Sequence, residues 1–329
     1  MKFLLVRLGA LGDIVHAIPV AVALRRAFPD ATIDWLVSAR HREVLDLVPA
    51  LTRRIVVNDR GSASGGVSLW DAIGELRRAR YDVAIDLQGL LKSALVARLS
   101  GARRVIGFNA RYARESLASW FYTDAHDPGG EGIYAPTETR HVVTINLGVL
   151  TELGLTVAAP DFGIDAPRSV AVSDVIARVG GPYALLNTGA AWPNKRWPAD
   201  RLAALARELL LRRGMRSLVQ WGPGERELAD DVVANGGGAA VLAPQTTIAD
   251  MAALAASAAV MVSGDTGPTR PERNGPLGAD DVTVSRAAVC QCHHLRQCRL
   301  DRMCLLDIGV SEVLAAVEGR LAASEQRRG

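Results

Sequence analysis

Four short strings place glycines beside a carboxylate or a base at the point where an apolar run ends. The first is Arg7-Leu8-Gly9-Ala10-Leu11-Gly12-Asp13. Its glycines let another molecule approach the backbone. Asp13 falls in a first helical turn, where the helix dipole favours the ionised carboxylate. Such a carboxylate either accepts a proton from a sugar hydroxyl or does no more than finish the helix end. The second string, Asn187-Thr188-Gly189-Ala190-Ala191-Trp192-Pro193-Asn194-Lys195-Arg196-Trp197-Pro198, offers small residues whose N–H groups can face an anion, followed by two bases suited to phosphate. A solvated polar loop would read the same way. The third, Trp221-Gly222-Pro223-Gly224-Glu225, and the fourth, Ser263-Gly264-Asp265-Thr266-Gly267-Pro268, could accept hydrogen bonds from ribose hydroxyls or hold a phosphate, and each is also an ordinary turn. Gln88 and Lys92, in Asp86-Leu87-Gln88-Gly89-Leu90-Leu91-Lys92, are expected near Asp13. Arg111, Arg114 and His141 are basic groups suited to an anionic substrate.

The elements that must position these residues follow a βα rhythm. Strands are expected at 2–8, 32–37, 53–57, 83–87 and 104–107, with helices at 12–28, 70–80 and 90–99. Residues 158–182, with their prolines and glycines, read as a linker. A second series then places strands at 183–186, 217–221, 239–242 and 259–263, and helices at 199–213, 225–235, 248–256 and 310–322. The pattern predicts an α/β protein of two Rossmann-like domains, 1–165 and 175–329, with a cleft between them.

Composition narrows the function classes. The 329 residues are 49% hydrophobic and 22% charged, with 38 basic against 35 acidic residues. That balance argues against a nucleic-acid binder, and 5% aromatic content argues against a base-stacking platform. No apolar run reaches the ~20 residues of a membrane span. Arg7 and Asp13 interrupt the apolar N-terminal stretch, so a signal peptide is not expected. All four cysteines, Cys290, Cys292, Cys298 and Cys304, fall in one short segment beside His293 and His294. No disulfide framework spans the chain, as suits a reducing cytoplasm. The cluster reads either as reduced packing thiols or as a zinc site, although its spacing is not a pair of CxxC knuckles.

The ordered set LGALGDIVHAIP, DLQGLLKSAL, NTGAAWPNKRWP, WGPGE, SGDTGP and RPERNGP resembles glycosyltransferase family 9, the heptosyltransferases of the lipopolysaccharide inner core, with heptosyltransferase I the most similar branch. The resemblance covers nearly the whole chain. It implies a GT-B fold and an inverting transfer of heptose from ADP-heptose to the Kdo residue of Kdo2-lipid A, with no metal or other cofactor. By that match Asp13 is the general base. Gly189, Ala190, Ala191 and Lys195 meet the donor pyrophosphate, Glu225 the ribose, and Asp265, Thr266 and Gly267 the rest of the nucleotide. Gly12, Gln88, Lys92, Arg114 and His141 meet the acceptor. The resemblance also implies a cytoplasmic protein that touches the inner membrane without spanning it. Heptosyltransferase II chemistry, another family-9 sugar, or a non-catalytic relative with impaired donor binding are the alternatives. A Rossmann epimerase is disfavoured, because GxGxxG and a Tyr-x-x-x-Lys pair are absent.

The chain departs from the family pattern at one junction. Gly267-Pro268-Thr269 runs straight into Arg270-Pro271-Glu272-Arg273-Asn274-Gly275-Pro276, where relatives interpose a helix and a strand. The expected consequences are an inner strand lost from the second sheet, no helix start within RPERNGP, weaker donor binding and reduced stability. A second departure is Val142, apolar where the family often carries a charge after the histidine.

Overall fold

Short β-branched and leucine-rich runs form parallel strands, and the helices between them start and stop at recognisable caps. A computed structural model describes residues 1–58, 66–190, 192–264, 271–290, 298 and 303–327. The chain divides into two compact units, Met1–Asp165 and Ala166–Gly329.

In the first unit the strands are β1 (Lys2–Val6), β2 (Thr32–Ser38), β3 (Arg53–Asn58), β4 (Val67–Ser68), β5 (Val83–Asp86), β6 (Arg104–Phe108) and β7 (Asp124–His126). The helices are α1 (Leu11–Val15), α2 (Ile18–Ala27), α3 (Leu69–Ala79), α4 (Leu91–Leu99) and α5 (Val142–Gly148). The strands form one sheet in the order β4-β3-β2-β1-β5-β6-β7, and the pairs are parallel. Alternate residues of β1 serve opposite faces. Leu4 and Val6 pack with Ala72 and Leu76 of α3 and Val96 and Ala97 of α4. On the other face the Phe3 ring lies 5.3 Å from that of Phe28, at the end of α2. A strand buried on both sides in this way is the usual condition of a parallel sheet.

The second unit holds α6 (Val170–Val179), β8 (Tyr183–Asn187), α7 (Ala199–Arg213), β9 (Arg216–Gln220), α8 (Arg226–Asn235), β10 (Ala240–Leu242), α9 (Ile248–Ser257), β11 (Val260–Ser263), α10 (Pro271–Asn274) and α11 (Val310–Gln326). Its sheet runs β10-β9-β8-β11, again parallel. Leu186 and Val219 face α7, α8 and α11, while Leu185 and Leu218 face α6 and α9.

Three sequence expectations are corrected. The helix expected over 12–28 is two helices, because Pro19 cannot donate to the carbonyl four residues back and so starts a new one, α2, near its first turn. The segment expected as linker contains α6. Ser169 caps it by accepting the Val172 N–H at 3.2 Å, and Gly180 ends it at φ +79°. Val172, Val175 and Val179 are buried in the core, each contributing about 1.5–3 kcal/mol. A helical turn does start within RPERNGP. Pro271 occupies the first position of α10, where a missing N–H costs nothing, and its carbonyl accepts the Gly275 N–H at 2.6 Å. The 269–270 junction itself lies outside the described residues.

Candidate functional site

Open parallel sheets place ligands at the carboxyl ends of strands where the chain reverses direction across the sheet. In the first unit that point is β1/β5, since β2 lies on one side of β1 and β5 on the other. The register puts Val6 opposite Asp86, so Arg7 and Leu87 emerge side by side. Arg7 is buried, and its Nη1 donates to the Leu87 carbonyl. Gln88 Oε1 accepts the Leu8 N–H at 2.7 Å and ties the two loops together. The fully buried Asp86 organises the second loop, accepting from the N–H groups of Gln88 (2.9 Å) and Gly89 (3.3 Å) and from Ser93 and Tyr122 hydroxyls, both at 2.8 Å. Burial pushes its carboxyl up against the pull of those donors.

Asp13 sits in the first turn of α1 and faces this loop pair. Its Oδ2 receives Arg7 Nη2 at 2.8 Å, Arg114 Nη2 at 2.8 Å and the Ala10 N–H at 3.3 Å. Oδ1 takes none of these three contacts. Burial alone would raise this carboxyl, but the guanidinium groups of Arg7 and Arg114 hold it below the ordinary carboxylate value. Arg114 reaches it because Gly89 (φ +68°) lets the chain pass close by. A Cβ on Gly89 would stand 3.0 Å from the Arg114 nitrogen. Gly12 differs, because a Cβ there would meet no described atom within 4 Å. Packing therefore leaves open space beside Asp13 at that glycine. His16, one turn beyond Asp13, stacks edge-on with His141 at 5.5 Å. Burial and the neighbouring His141 and Arg7 push the His16 imidazole down to about 4, against the pull of Asp13. His141 Nδ1 accepts the Val143 N–H at 3.1 Å and caps α5.

The structure thus brings Asp13, Gln88, Arg114 and His141 around one strand-end loop pair. Lys92 lies exposed in the first turn of α4. Arg111 turns away and pairs with Asp127 at 2.8 Å. Sequence reasoning assigned no role to Arg7 or His16. A lone arginine at the end of an otherwise apolar strand was the available signal, because such a charge is buried only when paired.

In the second unit the reversal falls at β8/β11. The register aligns Asn187 with Gln220 on one side and Ser263 on the other. Asn187 Nδ2 donates to Ser263 Oγ at 3.1 Å. A Cβ on Gly189 would stand 1.8 Å from Glu225 Oε2, so only glycine leaves room for that carboxylate. Glu225 Oε2 accepts the Gly222 N–H at 2.9 Å, and Oε1 lies 3.8 Å from Arg196 Nη2. Arg196 Nε donates to the Ala190 carbonyl at 2.9 Å. Lys195 is buried, and Gly264 backs onto it, since a Cβ on Gly264 would lie 2.7 Å from the Lys195 carbonyl. Trp197 fixes the end of this loop by donating Nε1 to the Ile308 carbonyl at 3.1 Å. The loops bearing Gly189, Ala190, Lys195 and Glu225 thus converge beside Gly264. Ala191, Asp265, Thr266 and Gly267 lie outside the described residues.

Among the described residues Cys290, Cys298 and Cys304 form no disulfide. Burial, a hydrogen bond with Cys290 and the nearby Cys298 push the Cys304 thiol up. Among the described residues no group of three or more His, Cys, Asp or Glu side chains is arranged to hold a metal. Cys292 lies outside them. Among the described residues no helix is long and apolar enough to cross a membrane.

Two Rossmann-like units, each with a polar site at its strand reversal, define the GT-B architecture. The model of glycosyltransferase family 9 (heptosyltransferase) matches residues 69–270. Lipopolysaccharide heptosyltransferase 1 of Pseudomonas aeruginosa is 35% identical over 317 residues, covering 88% of this chain and 85% of the relative. The E. coli heptosyltransferase WaaC with ADP aligns at a TM-score of 0.72 and 24% identity, over 97% of this chain and all of that one. A family 9 glycosyl transferase from Veillonella parvula aligns at 0.76 and 20% identity, over 98% and 97%. The chain belongs to glycosyltransferase family 9 and is a heptosyltransferase of lipopolysaccharide core synthesis.

Proposed function

We propose that this enzyme moves heptose from ADP-heptose to the Kdo residue of Kdo2-lipid A, with inversion at the anomeric carbon. The observation that carries the reading is Asp13, held ionised by Arg7 and Arg114, with all three of its described contacts on Oδ2. Oδ1 is the oxygen that accepts the proton. The acceptor hydroxyl donates to it while its oxygen attacks the anomeric carbon. The new C–O bond forms as the bond to the pyrophosphate oxygen breaks on the opposite face, and ADP leaves with the electron pair. The open space before Gly12 admits the acceptor sugar. Arg114, Lys92 and His141 supply donors and positive charge for the acidic acceptor. In the second unit Glu225 accepts from the ribose hydroxyls. The loop of Gly189, Ala190, Ala191 and Lys195 receives the pyrophosphate, and Asp265, Thr266 and Gly267 complete the nucleotide contacts. The family resemblance implies no metal or cofactor for the step.

The test is ADP release from ADP-heptose and Kdo2-lipid A, with wild type against Asp13→Asn. Turnover that requires both substrates and falls about 10²–10⁴-fold in the variant is expected. Undiminished turnover in Asp13→Asn removes Asp13 as the base. Folded wild type that binds ADP-heptose without turnover favours the non-catalytic alternative.

A further inference from the structure

We infer that Cys290 and Cys304 form an oxidisable dithiol, which a peroxide converts to a disulfide that restrains the turn holding the second unit's proposed pyrophosphate loop. Residues 291–303 separate the two cysteines in the chain, and the fold brings their turns together. Cys290 ends one turn, its N–H donating to the Arg286 carbonyl at 3.0 Å. Cys304 opens the 3₁₀ turn Cys304–Asp307. Arg286 fastens the first turn to the second. Its Nη2 donates to the Asp307 carbonyl at 3.0 Å, and its guanidinium forks onto Glu312 of α11 at 2.8 and 2.6 Å. The thiols themselves are in hydrogen-bonding contact, with Cys304 donating to the Cys290 sulfur. Both cysteines are half-buried, so a small oxidant reaches them. A fully buried packing thiol is inert, whereas an accessible thiol beside a second one is the setting in which oxidation stops at a reversible disulfide. Among the described residues no third ligand joins the pair in a metal-holding group.

Cys304 keeps its proton in that contact, because burial and the bond to Cys290 favour the neutral thiol. Cys290 is therefore the attacking sulfur. Its thiolate attacks one peroxide oxygen, the S–O bond forms as the O–O bond breaks, and the departing hydroxide takes up a proton as water. Cys304 then attacks the sulfenic sulfur. The S–S bond forms, the S–O bond breaks, and the Cys304 proton leaves with the hydroxyl as a second water. Two thiols are oxidised and one peroxide is reduced. The consequence travels through Ile308, which is buried just beyond the Cys304–Asp307 turn. Its carbonyl accepts Trp197 Nε1 at 3.1 Å and Arg201 Nη1 at 2.6 Å. Trp197 ends the loop that bears Gly189 and Lys195. Closing the ring through 290–304 removes freedom from the turn that anchors this loop. Only that coupling rests on the proposed donor reading, and the dithiol stands without it.

The full chain, reduced and then freed of reductant, is treated with hydrogen peroxide, digested and mapped by mass spectrometry. The expected product is a peptide joining Cys290 to Cys304 that dithiothreitol separates. The oxidised protein should melt about 5 °C or more above the reduced form. It should bind ADP about threefold more tightly by calorimetry, because the loop is pre-organised. Cys304→Ser should lose the linked peptide and both shifts, while matching reduced wild type in melting temperature and ADP affinity. A link from Cys290 to Cys292 or Cys298, or oxidation that runs on to sulfinic acid, overturns the pairing. So does purified protein that holds about one zinc ion per chain and resists peroxide until it is chelated, which would make the cluster a metal site. Equal ADP affinity in the two forms overturns the coupling to the loop. A linked peptide and a raised melting temperature with no ADP binding in either form would uphold the dithiol and remove the donor reading instead.

Discussion

The two units are built from the same βα repeat and end differently. In the first, β5 lies inside a seven-stranded sheet and each of its residues is buried. In the second, β11 occupies the equivalent place across the strand reversal, yet among the described residues it is the sheet edge. Met261 is 44% exposed there, and Ser263 is exposed as well. The chemical sites follow the same contrast. Asp13 is gripped at 2.8 Å by two arginines, one of them buried. Glu225 has one arginine at 3.8 Å, and the loop around it leans on Gly189 and Gly264 for space. A strand flanked on both sides fixes its end loops through register and burial. An edge strand leaves its loop to be fixed by whatever else packs there. A segment lost after Thr269 would produce this asymmetry, because the strand and helix expected there would have flanked β11.

The sharpest way to break the comparison is to remove one arginine from each site. Arg7→Met should cost about 1–3 kcal/mol, because the Leu87 carbonyl loses its donor and Asp13 keeps Arg114 as its remaining guanidinium partner. Arg196→Met should cost under about 1 kcal/mol, since its ion pair is long and partly exposed. Urea midpoints of the two variants decide this, and equal losses would erase the distinction. His16 sharpens it through pH. Its imidazole is pushed down to about 4 in the folded unit, against an unfolded value near 6.5. The unfolded chain therefore binds the proton first. Stability is fully present above about pH 6.5 and is lost as pH falls towards 4, by about 2 kcal/mol after allowing for partial exposure. His16→Gln should flatten that slope in unfolding curves at pH 7 and 4.5. A wild-type first unit indifferent to pH in this window would show the imidazole to be solvated.

Much of this organisation is legible in the sequence, and the exceptions have physical causes. Strand and helix order follows from apolar runs separated by glycines, and α7 falls where the pattern puts it. The strings after β1, β5 and β8 lie at the two reversals because parallel pairing leaves few other places for polar loops. The break between α1 and α2 was written in Pro19. Ser169 and Gly180 marked α6, but the prolines around it concealed the helix. β7 is three residues long and polar, and α5 is capped by a histidine, so neither carries a period to read. The clamp of Arg7 and Arg114 on Asp13 joins residues 101 positions apart in the chain. Only strand register and the close approach at Gly89 create it, and a single sequence displays neither.

Donor affinity tests the second unit at a smaller scale. α10 is one turn long and starts at Pro271, so it offers a weaker N-terminal field than a full helix would. ADP-heptose should bind about tenfold more weakly than to the Pseudomonas aeruginosa relative, measured side by side by calorimetry. Equal affinity would mean that no donor field beyond the one-turn α10 is needed.

The smallest effect is also the most direct reading of the open edge. Met261 pairs with Leu185 in register, while its neighbours Val260 and Val262 pack into the core formed with α7 and α11. Its side chain therefore projects to the other face, where it is 44% exposed. An exposed apolar residue on an edge strand invites edge-to-edge association, and lysine at such a position opposes it. Met261→Lys should change the unfolding free energy read from urea curves by less than about 0.5 kcal/mol. It should also delay the onset of light scattering when the protein is warmed in mild denaturant. If another segment or a second copy covers β11 in solution, the buried lysine would instead cost about 2 kcal/mol or more. In that case the second sheet is completed after all, and the contrast between the two units lies in their sequences rather than in how well each sheet is closed.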